Sequence, residues 1–245
     1  MRTYKLTIAY DGTGYQGWQR QENTDRTIQG ILEHAVSKTA GYRVEVNGSG
    51  RTDAGVHAKG QTASIVLSGQ VEEDAFRDQL NSRLPGDIRI LKVELVKNGF
   101  HARKSAVGKV YEYHIDTGEK ADVFARRYCF HFPHALDLAA MQKAADRLTG
   151  THEFGGYTDK KDEKSTKRTI YAIMVSGQGG RVKIEYSGTG FLYHMVRILT
   201  GTLLEVGTGA RSIESVSDIL ETKDRSGAGF LAPASGLFLR EVHYR

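Results

Sequence analysis

Residues 2–10, RTYKLTIAY, set Tyr4, Leu6, Ile8 and Tyr10 against Thr3, Lys5, Thr7 and Ala9. A period of two predicts a strand with one covered face. In TIQGILEHAVSKTA, Ile28, Ile31, Leu32, Ala35 and Val36 recur at helical spacing, and Thr27 stands where a cap belongs. YRVEVNG and QTASIVLSG read as strands. VEEDAFRDQLNSRL reads as a helix whose acidic first turn suits the helix dipole, and DIRILKVELV as a strand. The order β-α-β-β-α-β is that of a split βαβ unit.

The second half repeats the theme. GKVYEYHIDT predicts a strand, DLAAMQKAADRLTG a helix, and KRTIYAIMVSG and GRVKIEYSG a pair of strands turning around Gln178-Gly179-Gly180. FLYHMVRILTGTLLEVG and SIESVSDILET predict helices, and GLFLREVHY alternates as a closing strand. The pattern therefore predicts an α+β protein of two similar βαββαβ halves, residues 1–104 and 105–245, each like an RNA-recognition fold in topology. Only three prolines punctuate the chain, so no low-complexity linker marks the boundary near Ser105.

Composition narrows the setting. The 245 residues are 39% hydrophobic and 26% charged, ordinary for a globular protein. No apolar run approaches the roughly 20 residues that span a bilayer. The alternating N-terminus does not read as a signal peptide. A single cysteine, Cys129, excludes an internal disulfide and a cysteine-based zinc site, so a reducing, cytoplasmic location is the expectation. The formal net charge of +5 fits a polyanion partner. HARKSAVGKVY and KKDEKSTKR concentrate basic residues, but Asp162 and Glu163 interrupt the second, and a solvated loop explains it equally well.

Four stretches carry candidate chemistry. Gly12, Gly14 and Gly17 in YDGTGYQGWQR have G-x-G-x-x-G spacing. A dinucleotide fingerprint needs its third glycine to open a helix inside a parallel βαβ unit. Here polar WQRQENTD follows, so the glycines are expected to let the backbone turn and approach something closely, with Trp18 and Gln19 beside the turn. NGSGRTDAGVHAKGQ joins two strands and sets Arg51, Asp53 and His57 among glycines, longer than the usual hairpin connection. Asp53 there could be a metal ligand, a general base, a nucleophile or an Asx-turn residue. Arg197 lies inside an otherwise apolar helix and must be paired, or else snorkel to solvent or phosphate. An aspartate from the glycine-rich loop is a natural partner, and such a pair would keep the carboxylate ionised. Tyr111 and Tyr113 share a strand face, where aromatics either stack on bases or form core. His131 and His134 in HFPH are a weak metal signal. His57, His101 and His194 fit polar core or RNA contact.

Taken in order, YDGTGYQGWQRQ, GSGRTDAGVHAKGQ, LPGDI, FHAR, KVYEYHI, FLYHMVR and GLFLREVHY resemble the TruA-type tRNA pseudouridine synthases over nearly the whole chain. The most specific of these is GRTDAGVHA. The resemblance implies that Asp53 is the catalytic aspartate and Arg197 its basic partner. It likewise implies that Tyr111 stacks on the target base, that Arg51 engages tRNA during base flipping, and that Leu237 lines the pocket. It further implies two α/β halves with sheets merged over a central basic cleft, and a homodimer gripping one tRNA. The implied targets are uridines 38, 39 and 40 of the anticodon stem-loop. No cofactor, nucleotide or metal is implied. Two departures, Gly155-Gly156-Tyr157 where a Ser-Phe pair is usual and GFLAP (229–233, with Phe230-Leu231) where GPTAP is usual, bear on the choice of uridine and on rate rather than on reaction type.

The implied reaction exchanges an N–C glycosidic bond for a C–C bond to uracil C5, an isomerisation with no redox step. Asp53 could attack C1′ or C6 or deprotonate C2′. Competing readings are a catalytically silent tRNA-binding module, a paralogue with shifted uridine choice, and a nucleotide-dependent oxidoreductase using Gly12, Gly14 and Gly17.

Overall fold

The computed structural model describes residues 1–160 and 165–245; Asp162 and Glu163 of the basic stretch lie outside them. The elements run β1 (Arg2–Tyr10), α1 (Ile28–Ala40), β2 (Asn47–Gly48), β3 (His57–Leu67), α2 (Glu73–Asn81), β4 (Ile88–Val96), β5 (Ala106–Asp116), β6 (Phe130–His131), α3 (Leu138–Arg147), β7 (Gly150–Glu153), β8 (Lys167–Gln178), β9 (Arg181–Gly188), α4 (Met195–Gly207), α5 (Ser215–Thr222) and β10 (Leu237–Tyr244). The fold is α+β, and the first six elements follow the β-α-β-β-α-β order that the periodicity predicts. Two compact units form: Met1–Val107 together with Phe238–Arg245, and Gly108–Leu237.

In the first unit the strands lie in the order β4-β1-β3-β10. β1 runs antiparallel to both β3 and β4, so one face of the alternating strand can bury Tyr4, Leu6 and Ile8 completely. α1 adds Ile28, Leu32, Ala35 and Val36 to the buried set, and α2 adds Phe76 and Leu80. Each of the larger aliphatic and Phe side chains among them stabilises the fold by about 1.5–3 kcal/mol. Thr27 caps α1 as expected, its hydroxyl accepting from Gly30 N–H at 3.3 Å. The strand predicted over YRVEVNG shrinks to Asn47–Gly48. Its alternation is real, since Val44 and Val46 are buried. Their N–H groups, however, donate to Ser37 and Glu33 of α1 rather than to a ladder. The closing strand returns to this unit, where Phe238 and Leu239 pair in parallel with His57 and Ala58 of β3.

The second unit orders its strands β5-β9-β8-β7, with β6 added in parallel to β5. β8 and β9 turn around Gly179 and Gly180, both at positive φ. Burial of α4 is nearly complete, as its apolar circumference predicts; only Arg197 and Glu205 among its residues keep appreciable exposure. The helix predicted from Phe191 begins four residues later, because His194 adopts a left-handed backbone (φ +62°). No helix among the described residues is long and apolar enough to cross a membrane.

Candidate active site

The glycines of the first motif answer for the loop that holds Asp53. A Cβ at position 12 would sit 2.0 Å from the Val56 carbonyl oxygen. At position 17, where φ is +88°, a Cβ would lie 2.7 Å from the Thr52 carbonyl oxygen and 3.2 Å from Asp53 C and Ala54 N. Both glycines thus let residues 12–18 lie directly on the backbone of residues 52–56. The contact is hydrogen-bonded as well: Trp18 N–H donates to Thr52 O at 3.0 Å and Gly55 N–H to Tyr15 O at 3.3 Å. Gly14 is different, since a Cβ there would meet only the tip of Arg26. No helix opens at Gly17, and β1 pairs antiparallel on both sides, so the dinucleotide reading loses its structural context.

Other side chains tie the same loop. Tyr10 Oη and Thr52 Oγ1 are 2.8 Å apart, and burial pushes the Tyr10 phenol up to about 12, the Thr52 bond opposing this. Gln61 accepts from Ser49 Oγ at 2.7 Å and donates to the Gly50 carbonyl at 3.1 Å. Within this frame Asp53 is half-buried, and its own carbonyl accepts from Val56 N–H at 3.1 Å. Arg51 is exposed, its Nε–H donating to Gln19 Oε1 at 2.9 Å. The loop therefore presents one carboxylate and one tethered guanidinium on a fixed backbone.

The second unit carries the other three expected site residues. Tyr111 is buried on β5, with the Phe191 ring edge-on at 5.3 Å. Arg197, in the first turns of α4, donates through Nε–H to the Ala232 carbonyl at 2.7 Å, and Ala232 N–H returns a bond to Arg197 O at 3.3 Å. Residues 229–232 run along α4 as a backbone strap: Gly229 N–H donates to Thr202 Oγ1 at 2.9 Å and Phe230 N–H to Glu205 Oε1 at 3.2 Å. The approach is close enough that a Cβ at Gly201 would fall 1.9 Å from the Phe230 carbonyl oxygen. Tyr113 holds the strap's end, donating to Pro233 O at 2.6 Å. Burial raises the Tyr113 phenol far above its ordinary range, and the nearby Arg197 charge partly opposes this. Leu237 is buried where the strap passes into β10.

One departure from the resembled pattern, GFLAP, thus contains Ala232, whose carbonyl accepts the Arg197 Nε–H. The other is a packing matter. Gly155-Gly156-Tyr157 forms a short 3-10 turn, a Cβ at Gly156 would meet Ile219 Cγ2 at 2.6 Å, and buried Tyr157 donates to Val216 O at 3.0 Å.

The histidines separate into distinct roles. Buried His57 stacks on Phe238 and accepts Gly12 N–H at Nδ1, 3.0 Å away, with Asp11 Oδ1 at 3.1 Å. His101 accepts Arg103 N–H within a local turn. His131 Nε2 is 3.2 Å from the Gly118 carbonyl, and His134 packs on Phe132. Among the described residues no group of three or more His, Cys, Asp or Glu could share a metal ion. Gln19, Gln61, Phe191 and the Ala232 carbonyl are contacts of the expected site residues or their loop that sequence reasoning did not assign. Gln19 lies in the first quoted motif, but nothing in its spacing shows that it tethers Arg51.

Comparison with known proteins identifies the family. A family model described as tRNA pseudouridine synthase matches residues 6–103 and 144–245. A tRNA pseudouridine synthase A from Bacillus sp. (strain KSM-64) is 44% identical over 245 residues, covering all of both chains. One from Limosilactobacillus reuteri (strain DSM 20016) is 46% identical over 250 residues, covering 100% of this chain and 97% of the relative. A tRNA pseudouridine synthase A 2 from Bacillus thuringiensis subsp. konkukian (strain 97-27) is 42% identical over 245 residues, again the full length of both. The chain belongs to the TruA-type tRNA pseudouridine synthase family and is an isomerase.

Proposed function

We propose that this enzyme converts uridine to pseudouridine at positions 38, 39 and 40 of the tRNA anticodon stem-loop, with Asp53 as its catalytic carboxylate. The observation that carries the reading is the clamping of the Asp53 loop by Gly12 and Gly17, whose missing side chains let two backbones touch. A group that must meet one carbon of a flipped nucleoside has to be held in place, and misplacement by about 1 Å can lower a rate about a hundredfold.

The steps follow from the chemistry. The target base leaves its stack, which costs a few kcal/mol. Arg51, exposed and tethered by Gln19, engages the RNA as the base departs. Tyr111 takes the uracil on its ring, a contact worth roughly 1–3 kcal/mol. Asp53 then acts at C1′, at C6 or on the C2′ proton; the C1′–N1 bond breaks and the uracil turns. A C1′–C5 bond forms, C5 gives up its proton, and N1 ends protonated, so no oxidant or co-reactant enters. Arg197, which donates through Nε–H to the Ala232 carbonyl, is the basic partner in this reading. Leu237 supplies apolar wall, excluding water from the separated base and sugar. On this reading the enzyme works in the cytoplasm as a homodimer that grips one tRNA.

The test is Asp53→Asn, with pseudouridine mapped in an unmodified tRNA transcript. Conversion is expected to vanish while tRNA affinity stays within a few-fold. Turnover near wild type in that variant, or conversion outside positions 38–40, would remove the corresponding part of the reading.

A further inference from the structure

We propose that Tyr193 is a second stacking platform, taking an unpaired base of the RNA substrate other than the uridine being isomerised; the proposal rests on reading the substrate as RNA. The Tyr193 residue is 49% exposed, yet its ring is held. It stacks on His194 with centroids 3.6 Å apart and planes at 25°. Consecutive side chains point to opposite sides of extended backbone, so two neighbouring rings meet face to face only if the chain kinks between them. That kink is present: His194 is at φ +62°, a conformation disfavoured for L residues. Among the described residues only Lys223 shares it outside glycine.

The kink is pinned from both sides. His194 Nδ1 lies 2.6 Å from Asp159 Oδ2, and the other Asp159 oxygen accepts Arg225 Nε–H at 2.7 Å. Burial alone would raise the Asp159 carboxyl, but bonds from His194 and Arg225 hold it below its usual range. Arg225 also donates to Gly229 O at 3.1 Å, and Thr158 Oγ1 to the Tyr193 carbonyl at 2.9 Å. A strained backbone, an ion-paired support and a backbone bond together fix one aromatic ring facing outward. Strain of this kind persists where surrounding structure enforces it, often at ligand sites.

The surroundings indicate the occupant. The segments that hold the platform bring Lys160 and Lys223 with them, Lys223 packing against Gly155, while Arg225 is paired with Asp159. An exposed aromatic face on a segment that also carries basic side chains suits single-stranded nucleic acid, by stacking bases and attracting phosphates. Tyr111 is a separate ring, buried on β5. Phe191, in T-shaped contact with Tyr111, lies only two residues before Tyr193. One short segment thus supports both faces, which suits a target base and a neighbouring unpaired base.

The experiment compares full-length wild type with Tyr193→Phe, Tyr193→Leu and Tyr193→Ala. Affinity for an unmodified anticodon stem-loop RNA is measured across salt concentrations, with pseudouridine formation and sedimentation followed in parallel. Loss of one base–aromatic stack predicts roughly tenfold weaker binding for the Ala and Leu variants and near-wild-type binding for Phe. The salt slope should not move, since no charge is removed. Asp159→Asn, which loosens the His194 support, should give a smaller loss in the same direction. Equal binding by wild type and Ala, or equal binding by Leu and Phe, overturns the platform. So does an Ala variant that dissociates into monomers with unchanged RNA affinity per protomer, because a second copy of the chain would then be the occupant. If wild type makes pseudouridine but the series is flat, only the platform falls. If wild type makes none while the ordering holds, the platform stands and the proposed activity falls.

Discussion

Gly17→Ala puts the link between the first motif and the loop that carries Asp53 to a quantitative test. At φ +88° an alanine is left-handed, at about 1–2 kcal/mol. Its Cβ would also press on three backbone atoms, the closest 2.7 Å away, and backbone cannot rotate aside as a side-chain tip can. Overpacking of this kind costs about 1–3 kcal/mol. The two effects together come to about 2–5 kcal/mol, a large part of the roughly 5–15 kcal/mol that holds a typical protein folded. For a chain of this size that is a fall in Tm of about 4–20 °C. If the loop moves instead of the fold weakening, the Tm change is smaller and single-turnover pseudouridine formation drops at least tenfold, because Asp53 is displaced. Gly14→Ala is the control: φ there is not positive and the nearest atom is the end of Arg26, so a change within about 0.5 kcal/mol is expected. Urea unfolding, thermal melting and a single-turnover assay on the two variants decide the matter. A Gly17→Ala enzyme matching wild type in all three, or a Gly14→Ala enzyme equally damaged, would falsify the account of how the motif supports the loop.

Arg51→Ala should weaken tRNA binding and flatten its salt dependence by about one counterion, read from affinity at several salt concentrations; an unchanged slope removes the phosphate contact. Thr202→Val keeps the side-chain shape but leaves the buried Gly229 N–H without its acceptor, so urea unfolding should show a loss of about 1–3 kcal/mol; no loss would mean the strap does not depend on that bond. The Tyr10 phenol, raised to about 12 by burial, stays protonated in the fold while the unfolded chain ionises near 10, so stability should fall as pH rises from about 10 towards 12, by about 1.4 kcal/mol per pH unit from this group. Tyr10→Phe should shallow that fall in alkaline urea titrations, and an unaltered pH profile would count against it.

Periodicity made most of the fold readable because long elements bury one face. β1, β3, α1 and α2 in the first unit, and β5, β8, β9 and the body of α4 in the second, all stand where apolar spacing puts them. What stayed hidden was set by partners distant in sequence. The buried valines 44 and 46 look like strand, but α1 side chains take their N–H groups. β6 and β7, of two and four residues, are too short to show a period. FLYH reads as the start of a helix because nothing local reveals that His194 is kinked to meet Asp159, 35 positions earlier. In the site, glycine spacing indicated a close approach at residues 12–17 without saying to what; the answer, residues 52–56, required coordinates. The support of Arg197 was invisible in the same way, since its acceptor is a main-chain carbonyl that any residue provides.

The route of the chain has a consequence for its synthesis. Residues 108–237 are translated between the bulk of the first unit and the strand that completes it. At about 5–20 residues per second the ribosome needs about 7–26 seconds for those 130 residues. Throughout that interval His57 and Ala58, four and five residues beyond the aspartate on which turnover is proposed to depend, lack their neighbours Phe238 and Leu239. A nascent polypeptide stalled before Phe238 would therefore carry every residue proposed for the chemistry and still lack a finished edge beside Asp53.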